Sequence, residues 1–212
     1  AKEKGLEPLA NLILLQKMTV SPLEEAENYI NPEKEVSTAE DALNGAKDIL
    51  AESVSDNADF RTHIRELTMK HGQLLSAAKD PEAESVYEMY YEFSESLSKL
   101  AGHRILAISR GEKEKFLTVK IDAPVDRILS YLDRKLITAP SAPTAAVLHE
   151  VTEDAYNRLI APAIEREIRS DLFEKAEDGA IRVFGKNLEQ LLMQPPIAGQ
   201  VVLGWDPAFR TD

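Results

Sequence analysis

The sequence predicts a mainly α-helical fold, with a multi-helical core and long C-terminal helices. Apolar residues recur at intervals of three and four along most of the chain, which is the spacing of amphipathic helices. The chain has 212 residues and 43% hydrophobic side chains, which is enough to bury a sizeable core. Strand-like alternation is confined to one short region near 116–121, and the apolar run at 201–205 predicts a second, truncated strand.

Three helices are predicted before residue 73. Apolar side chains at helical spacing mark the first one, at Leu6, Leu9, Ala10 and Ile13. Ser37 and Glu40 fit a capping box at the start of the second helix, whose apolar stripe continues to Val54. Asn57 then caps a third helix, which is expected to end near Gly72.

The middle of the chain predicts a loop, an aromatic cluster and two helices around the strand. Asp80-Pro81 marks the loop. Aromatic residues in 86–93 could stack on bases, but nearby acids would repel phosphates, so we interpret the cluster as core packing. These acids are Glu84, Glu88, Glu92 and Glu95. One helix is predicted from Gly102 to Arg110, and Pro124 opens the next.

A stiff linker at 139–143 precedes a long helical stretch that starts near Thr144. Pro162 should kink or divide this stretch, because proline removes one backbone hydrogen bond and clashes with the preceding turn. Ser170 is expected to cap the last helix, which ends before Pro195-Pro196. The apolar stripe of that helix comprises Phe173, Ala176, Ala180, Phe184, Leu188 and Leu191.

Composition and charge exclude several classes of site. The absence of cysteine excludes disulfides, thiolate metal sites and cysteine nucleophiles. The net charge of −12 argues against a general polyanion-binding surface. The charge is uneven, because residues 24–59 carry eleven acidic and two basic side chains, whereas 103–120 carry five basic and two acidic ones. The apolar runs are too short to span a bilayer, so we expect no membrane association.

The sequence contains no recognisable catalytic motif. Its four histidines lack the spacing of metal ligands, and it has no phosphate-binding loop or serine elbow. We therefore expect no enzyme activity, no metal and no cofactor. Asp206 could be the first metal ligand of a ribonuclease-H-like nuclease, but only six residues follow it, too few to supply the other carboxylates. A turn-forming role is the alternative for Asp206.

Five segments, in order over nearly the whole chain, form a specific set: EKGLEPLA (3–10), ALNGAKDILAE (42–52), GHRILAISRGEKEKFL (102–117), DAYNRLIAPAIEREIRSDLFEKAEDGAIRVFGKNLEQLL (154–192) and VVLGWDPAFRT (201–211). Together they resemble the Tex family of bacterial transcription accessory proteins. The strongest parts of this resemblance are LIAPAIEREIR within the fourth segment and LGWDPAFRT within the fifth.

The resemblance implies a larger architecture. In Tex-like proteins, a helical region precedes a YqgF domain with a ribonuclease-H-like fold, a helix-hairpin-helix region and an OB-fold RNA-binding domain. By this resemblance, 1–138 is the N-terminal part of a helical core, 139–196 is a long-helix region, and 197–212 begins a truncated YqgF domain. Ala208 stands where related YqgF sequences usually have glycine, which argues further against nuclease chemistry.

The first hypothesis is therefore the helical scaffold of a cytoplasmic transcription accessory factor. Its full-length protein would bind RNA or DNA and contact proteins of the transcription machinery. Arg104, Arg110, Lys113 and Lys115 are the candidate auxiliary phosphate contacts; as an alternative, they are charges at a helix end. The other hypotheses are a protein-binding helical adaptor that uses the acidic 24–59 segment, and part of a metal-dependent nuclease.

Overall fold

The computed structural model describes residues 2–195 and 198–205. Helices dominate this part of the chain, and the prediction of a mainly α fold is confirmed. The α-helices are α1 (Glu7–Leu15), α2 (Pro22–Ala26), α3 (Ala39–Asp56), α4 (Ala58–His71), α5 (Gly102–Lys113), α6 (Val125–Leu136), α7 (Ala145–Asp154) and α8 (Ala161–Leu192). The strands are β1 (Gln73–Ala78), β2 (Glu92–Ser96) and β3 (Leu117–Asp122).

The N-terminal helices begin and end close to their predicted positions. The capping box of α3 uses Thr38 and Asp41 rather than the predicted Ser37 and Glu40. The Thr38 Oγ1 accepts the Asp41 amide at 3.0 Å, and the Thr38 amide donates to the Asp41 carboxylate at 3.1 Å. The cap lies one residue later because the extended backbone persists through Thr38. Asn57 caps α4, and Gly72 follows its last residue, as predicted.

The three strands form one antiparallel sheet in the order β2-β1-β3. The predicted strand near 116–121 is confirmed as β3, which pairs with β1 in a register that places Ser76 opposite Val119. Sequence analysis missed β1 and β2. The strand predicted at 201–205 is wrong, because these residues are exposed and pair with no strand of the described chain.

The buried apolar residues form one cluster that involves helices from both ends of the chain. It includes Ile13 of α1, Ile64 of α4, Ile108 of α5 and Ile168 of α8, each at most 1% exposed. α5 packs against β3 and α8, while α3 packs against α1, α2 and α7. The proposed division into 1–138, 139–196 and 197–212 stays a prediction.

A π-helical turn at Ala155–Ile160 separates α7 from α8. Pro162 lies in the first turn of α8, directly after this π-helical turn. The backbone keeps right-handed helical angles through both junctions, so the kink or division predicted from this proline takes the form of a local change of helix type and not of a break. The cap predicted at Ser170 is wrong, because α8 continues through this residue without a break.

α8 has 32 residues, and its two halves differ in environment. Ile164, Ile168 and Ala176 are buried, whereas every residue described after Ala176 is exposed.

The prediction of core packing for the aromatic segment at 86–93 is confirmed for Tyr87 and Tyr90, which are 5% and 6% exposed. No helix within the described residues combines the length and the apolar character that a membrane crossing requires.

Candidate nucleic-acid interface

Three of the four candidate basic residues lie together at the C-terminal end of α5. Arg110 and Lys113 occupy its last turn, and Lys115 lies in the turn that leads to β3. The Glu114 amide donates to the Arg110 carbonyl at 2.9 Å, and Lys115 has a left-handed backbone with φ of 69°. Because Arg110 and Lys113 are three positions apart, they are neighbours on one face of the helix.

Arg104 lies in a different environment. Its Nη1 donates to the Glu95 Oε2 at 2.7 Å, and its guanidinium carbon lies 5.9 Å from the centroid of the Phe93 ring. Both partners belong to β2. Arg104 and Arg110 are six positions apart, which is about 9 Å along a helix. Arg104 therefore has a carboxylate partner of its own and lies apart from the other three.

Arg110, Lys113 and Lys115 have exposed side chains and make no ion pair within the part of the chain described. Nearby Glu112 is paired with Arg169 of α8, so its charge is compensated. The three cations are free to meet an anion from solution. Cations in the last turn also stabilise the negative end of a helix. The alternative interpretation, that these residues are charges at a helix end, is therefore supported as well.

Arg110 and Lys113 border a groove of about 780 Å³ between α5 and α8. Glu114 and Glu177 also lie at its edge, so its margin carries both signs of charge. Sequence analysis missed this groove, because the apolar stripe of α8 does not show which helix packs beside it. The lining comprises Leu106, Ser109, Arg110, Lys113, Glu114, Phe173, Glu177, Ala180 and Ile181.

Tyr87 packs behind the basic turn. Burial raises the pKa of its hydroxyl, the Glu114 carboxylate raises it further, and Arg110 acts in the opposite direction. The tyrosine is therefore neutral at ordinary pH and adds no negative charge. Glu114 is the carboxylate that reduces the local positive potential of the turn.

The acidic segment 24–59 lies on other elements, mainly α2 and α3. Two of its charged groups pair with the C-terminal helices: Asp48 with Arg158 at 2.9 Å, and Lys47 with Glu150 at 2.5 Å. α3 packs on α7, whereas α5 packs on β3 and α8. The acidic segment and the basic turn therefore lie on helices that have different neighbours.

The described residues contain no group of three or more histidine, aspartate or glutamate side chains that could hold a metal ion. Asp206, the candidate ligand of a nuclease site, lies outside the described residues.

Comparison with known proteins covers the same elements. The Tex central region-like family matches residues 17–184, from the end of α1 to the distal half of α8. The chain belongs to this family. Its Tex resemblance is thereby confirmed.

Three relatives match along the whole of the chain or 99% of it. The chain is 50% identical to the uncharacterized protein YdcI of Bacillus subtilis and 37% identical to the protein tex of Bordetella pertussis. It is 32% identical to the S1 RNA-binding domain-containing protein 1 of Homo sapiens. The chain spans only 30%, 28% and 22% of these three relatives, respectively.

Proposed function

We propose that this chain is the helical scaffold portion of a nucleic-acid-binding transcription accessory factor and has no catalytic activity of its own. Membership of the Tex family over most of the chain carries this proposal. The name of the human relative, which records an S1 RNA-binding domain in that protein, supports RNA as the ligand. The main nucleic-acid contacts would come from other regions of the full-length protein, in the cytoplasm.

The basic turn supplies the auxiliary contacts in this proposal. Arg110, Lys113 and Lys115 are exposed and lack ion-pair partners among the described residues. They are suited to phosphate oxygens, which basic side chains bind without reading the sequence of bases. Arg104 belongs to the original set of candidates, but its pairing with Glu95 makes its contribution smaller.

The test compares two triple variants of the full-length protein in binding to a fluorescent single-stranded RNA over a salt series. The first variant is Arg110→Gln, Lys113→Gln and Lys115→Gln. Loss of three phosphate contacts should lower the slope of log affinity against log salt by about 2, since each contact on a single strand contributes about 0.7. The matched control removes one arginine and two lysines elsewhere on the exposed surface, with Lys17→Gln, Arg127→Gln and Lys135→Gln.

Equal slopes for the two triple variants would remove the basic turn from the interface.

A second experiment measures the RNA affinity of this 212-residue chain and of the full-length protein under one salt condition. Binding confined to the full-length protein supports a scaffold, whereas equal affinity would make this chain the principal binding module. Tighter binding of the matching single-stranded DNA would contradict the assignment of RNA. Magnesium-dependent cleavage of either strand by the wild-type protein would overturn the absence of catalysis.

A further inference from the structure

The distal half of α8 exposes an apolar face to solvent. We define the distal face as Ile181, Phe184, Leu188 and Leu191, whose spacing of three, four and three places them on one side of the helix. Their exposed fractions are 66%, 68%, 41% and 61%. Single exposed apolar residues are common, but a contiguous row of large ones is typical of an interaction site.

Burial of α8 against the rest of the described chain ends near the middle of the helix, at Ala176. Gly102 of α5 approaches Ala176 so closely that a β-carbon on the glycine would lie 3.4 Å from the Ala176 Cα. Further along, β-carbons built on Gly179 and Gly185 would meet nothing within 4 Å. The 16 residues of α8 beyond Ala176 form about 24 Å of helix without a buried side chain, although Ala180 and Ile181 still border the groove beside α5.

A helical segment without buried side chains has little stability of its own. It extends a helix that is already nucleated, but each interior glycine costs roughly 1 kcal/mol relative to alanine. Because Gly179 and Gly185 both lie in this segment, intrinsic propensity contributes little to its helical stability. Most helical stability in proteins comes from packing of an apolar face, which here requires an occupant for the distal face.

Two observations indicate which polypeptide is the occupant. The chain spans 22–30% of its relatives, so more than two thirds of those proteins lie outside the matched region. Exposed apolar side chains also continue past α8, with Val202, Leu203 and Trp205 between 67% and 86% exposed. The distal half of α8 and the segment that follows it therefore both expose apolar side chains that a packing partner would bury.

We propose that the distal face is the docking site for the region of the full-length protein that follows residue 212. A covalently attached region has an effective concentration in the millimolar range, which favours it over a separate molecule. A second copy is disfavoured further, because two chains of net charge −12 repel each other. The proposal concerns intramolecular packing and does not depend on nucleic-acid binding.

The test uses hydrogen exchange on the full-length protein with two double variants. Phe184→Gln with Leu191→Gln removes apolar contacts from the distal face. Arg182→Gln with Glu189→Gln places the same side chain on the opposite, exposed side of α8 and leaves the net charge unchanged. In the wild type, amides of 181–192 should exchange at least tenfold more slowly than in the 212-residue chain. The distal-face variant should lose this difference, and the control should keep it.

Two further measurements separate the other occupants. Protection of 181–192 that increases with protein concentration would assign the distal face to a second copy, and protection that appears only with added RNA would assign it to the ligand. Equal exchange in the full-length and 212-residue proteins would overturn the proposal outright. Amides around Ile64 and Ile108 report whether each variant is folded, because both side chains are fully buried away from the distal face.

Discussion

Replacement of Gln16 by alanine should destabilise the chain more than a single surface change can. Gln16 follows α1 with a left-handed backbone, and its side chain is 8% exposed. Its Nε2 donates to the Leu136 carbonyl at 2.7 Å, and its Oε1 accepts the Thr138 and Ala139 amides, each at 2.9 Å. One side chain thus joins the first helix to the segment between α6 and α7.

The magnitude follows from these three hydrogen bonds. Each contributes a net 0.5–1.5 kcal/mol, so Gln16→Ala should lower the free energy of unfolding by about 2–3 kcal/mol. Glycine adopts a left-handed backbone without the steric cost that alanine has, so Gln16→Gly should lose about 1 kcal/mol less. Urea unfolding followed by circular dichroism measures both values.

The adjacent residue provides the control. Lys17 is exposed and makes no ion pair among the described residues, so Lys17→Ala should change stability by less than about 0.5 kcal/mol. If Gln16→Ala costs no more than Lys17→Ala, water satisfies the three backbone groups equally well, and the reasoning from the hydrogen bonds is refuted.

Two other substitutions test packing and electrostatics. In Gly111→Ala, the new β-carbon would lie 2.7 Å from Leu117 Cδ1 and 3.0 Å from Tyr87 Cδ1, so a loss of about 1–3 kcal/mol is expected in thermal unfolding. Unchanged stability would show that Leu117 moves aside freely. The Arg158 hydrogen bond lowers the pKa of Asp154, so the ion pair stabilises the fold above the unfolded-state pKa near 4 and loses this effect as the pH falls through the lower folded-state value. Asp154→Asn should therefore be less stable than wild type in urea at pH 7 and equally stable at pH 2, whereas a difference that is independent of pH would contradict the assignment.

The helices were predictable because their signals are local. Repeated apolar spacing and Asn57 as a cap each act within a few residues, and the structure confirms them. The strands β1 and β2 were missed for a physical reason. β1 buries Ser76, a polar residue, and β2 reads EFSES without an apolar side, so neither shows the alternation that identifies a strand.

The candidate site was predictable only in part, because it depends on pairings distant in sequence. The basic residues themselves were evident, and three of them lie together at the end of α5 as neighbours in sequence must. The ion pair of Arg104 with Glu95 depends on β2, which the sequence did not predict. The groove depends on Phe173 and Ile181 of α8, whose position beside α5 is a tertiary contact that periodicity does not contain.

The apolar stripe of α8 shows how a correct pattern and an exposed surface can coexist. Periodic apolar residues predict that one side of a helix is buried, but they do not say against what. Ala176 meets that expectation within this chain, whereas Phe184, Leu188 and Leu191 on the same stripe are 41–68% exposed. The apolar residues of the stripe continue past Ala176, but the described chain does not bury them there. The pattern therefore predicts burial for the whole helix, and the half that this chain leaves exposed is where the rest of a longer protein should pack.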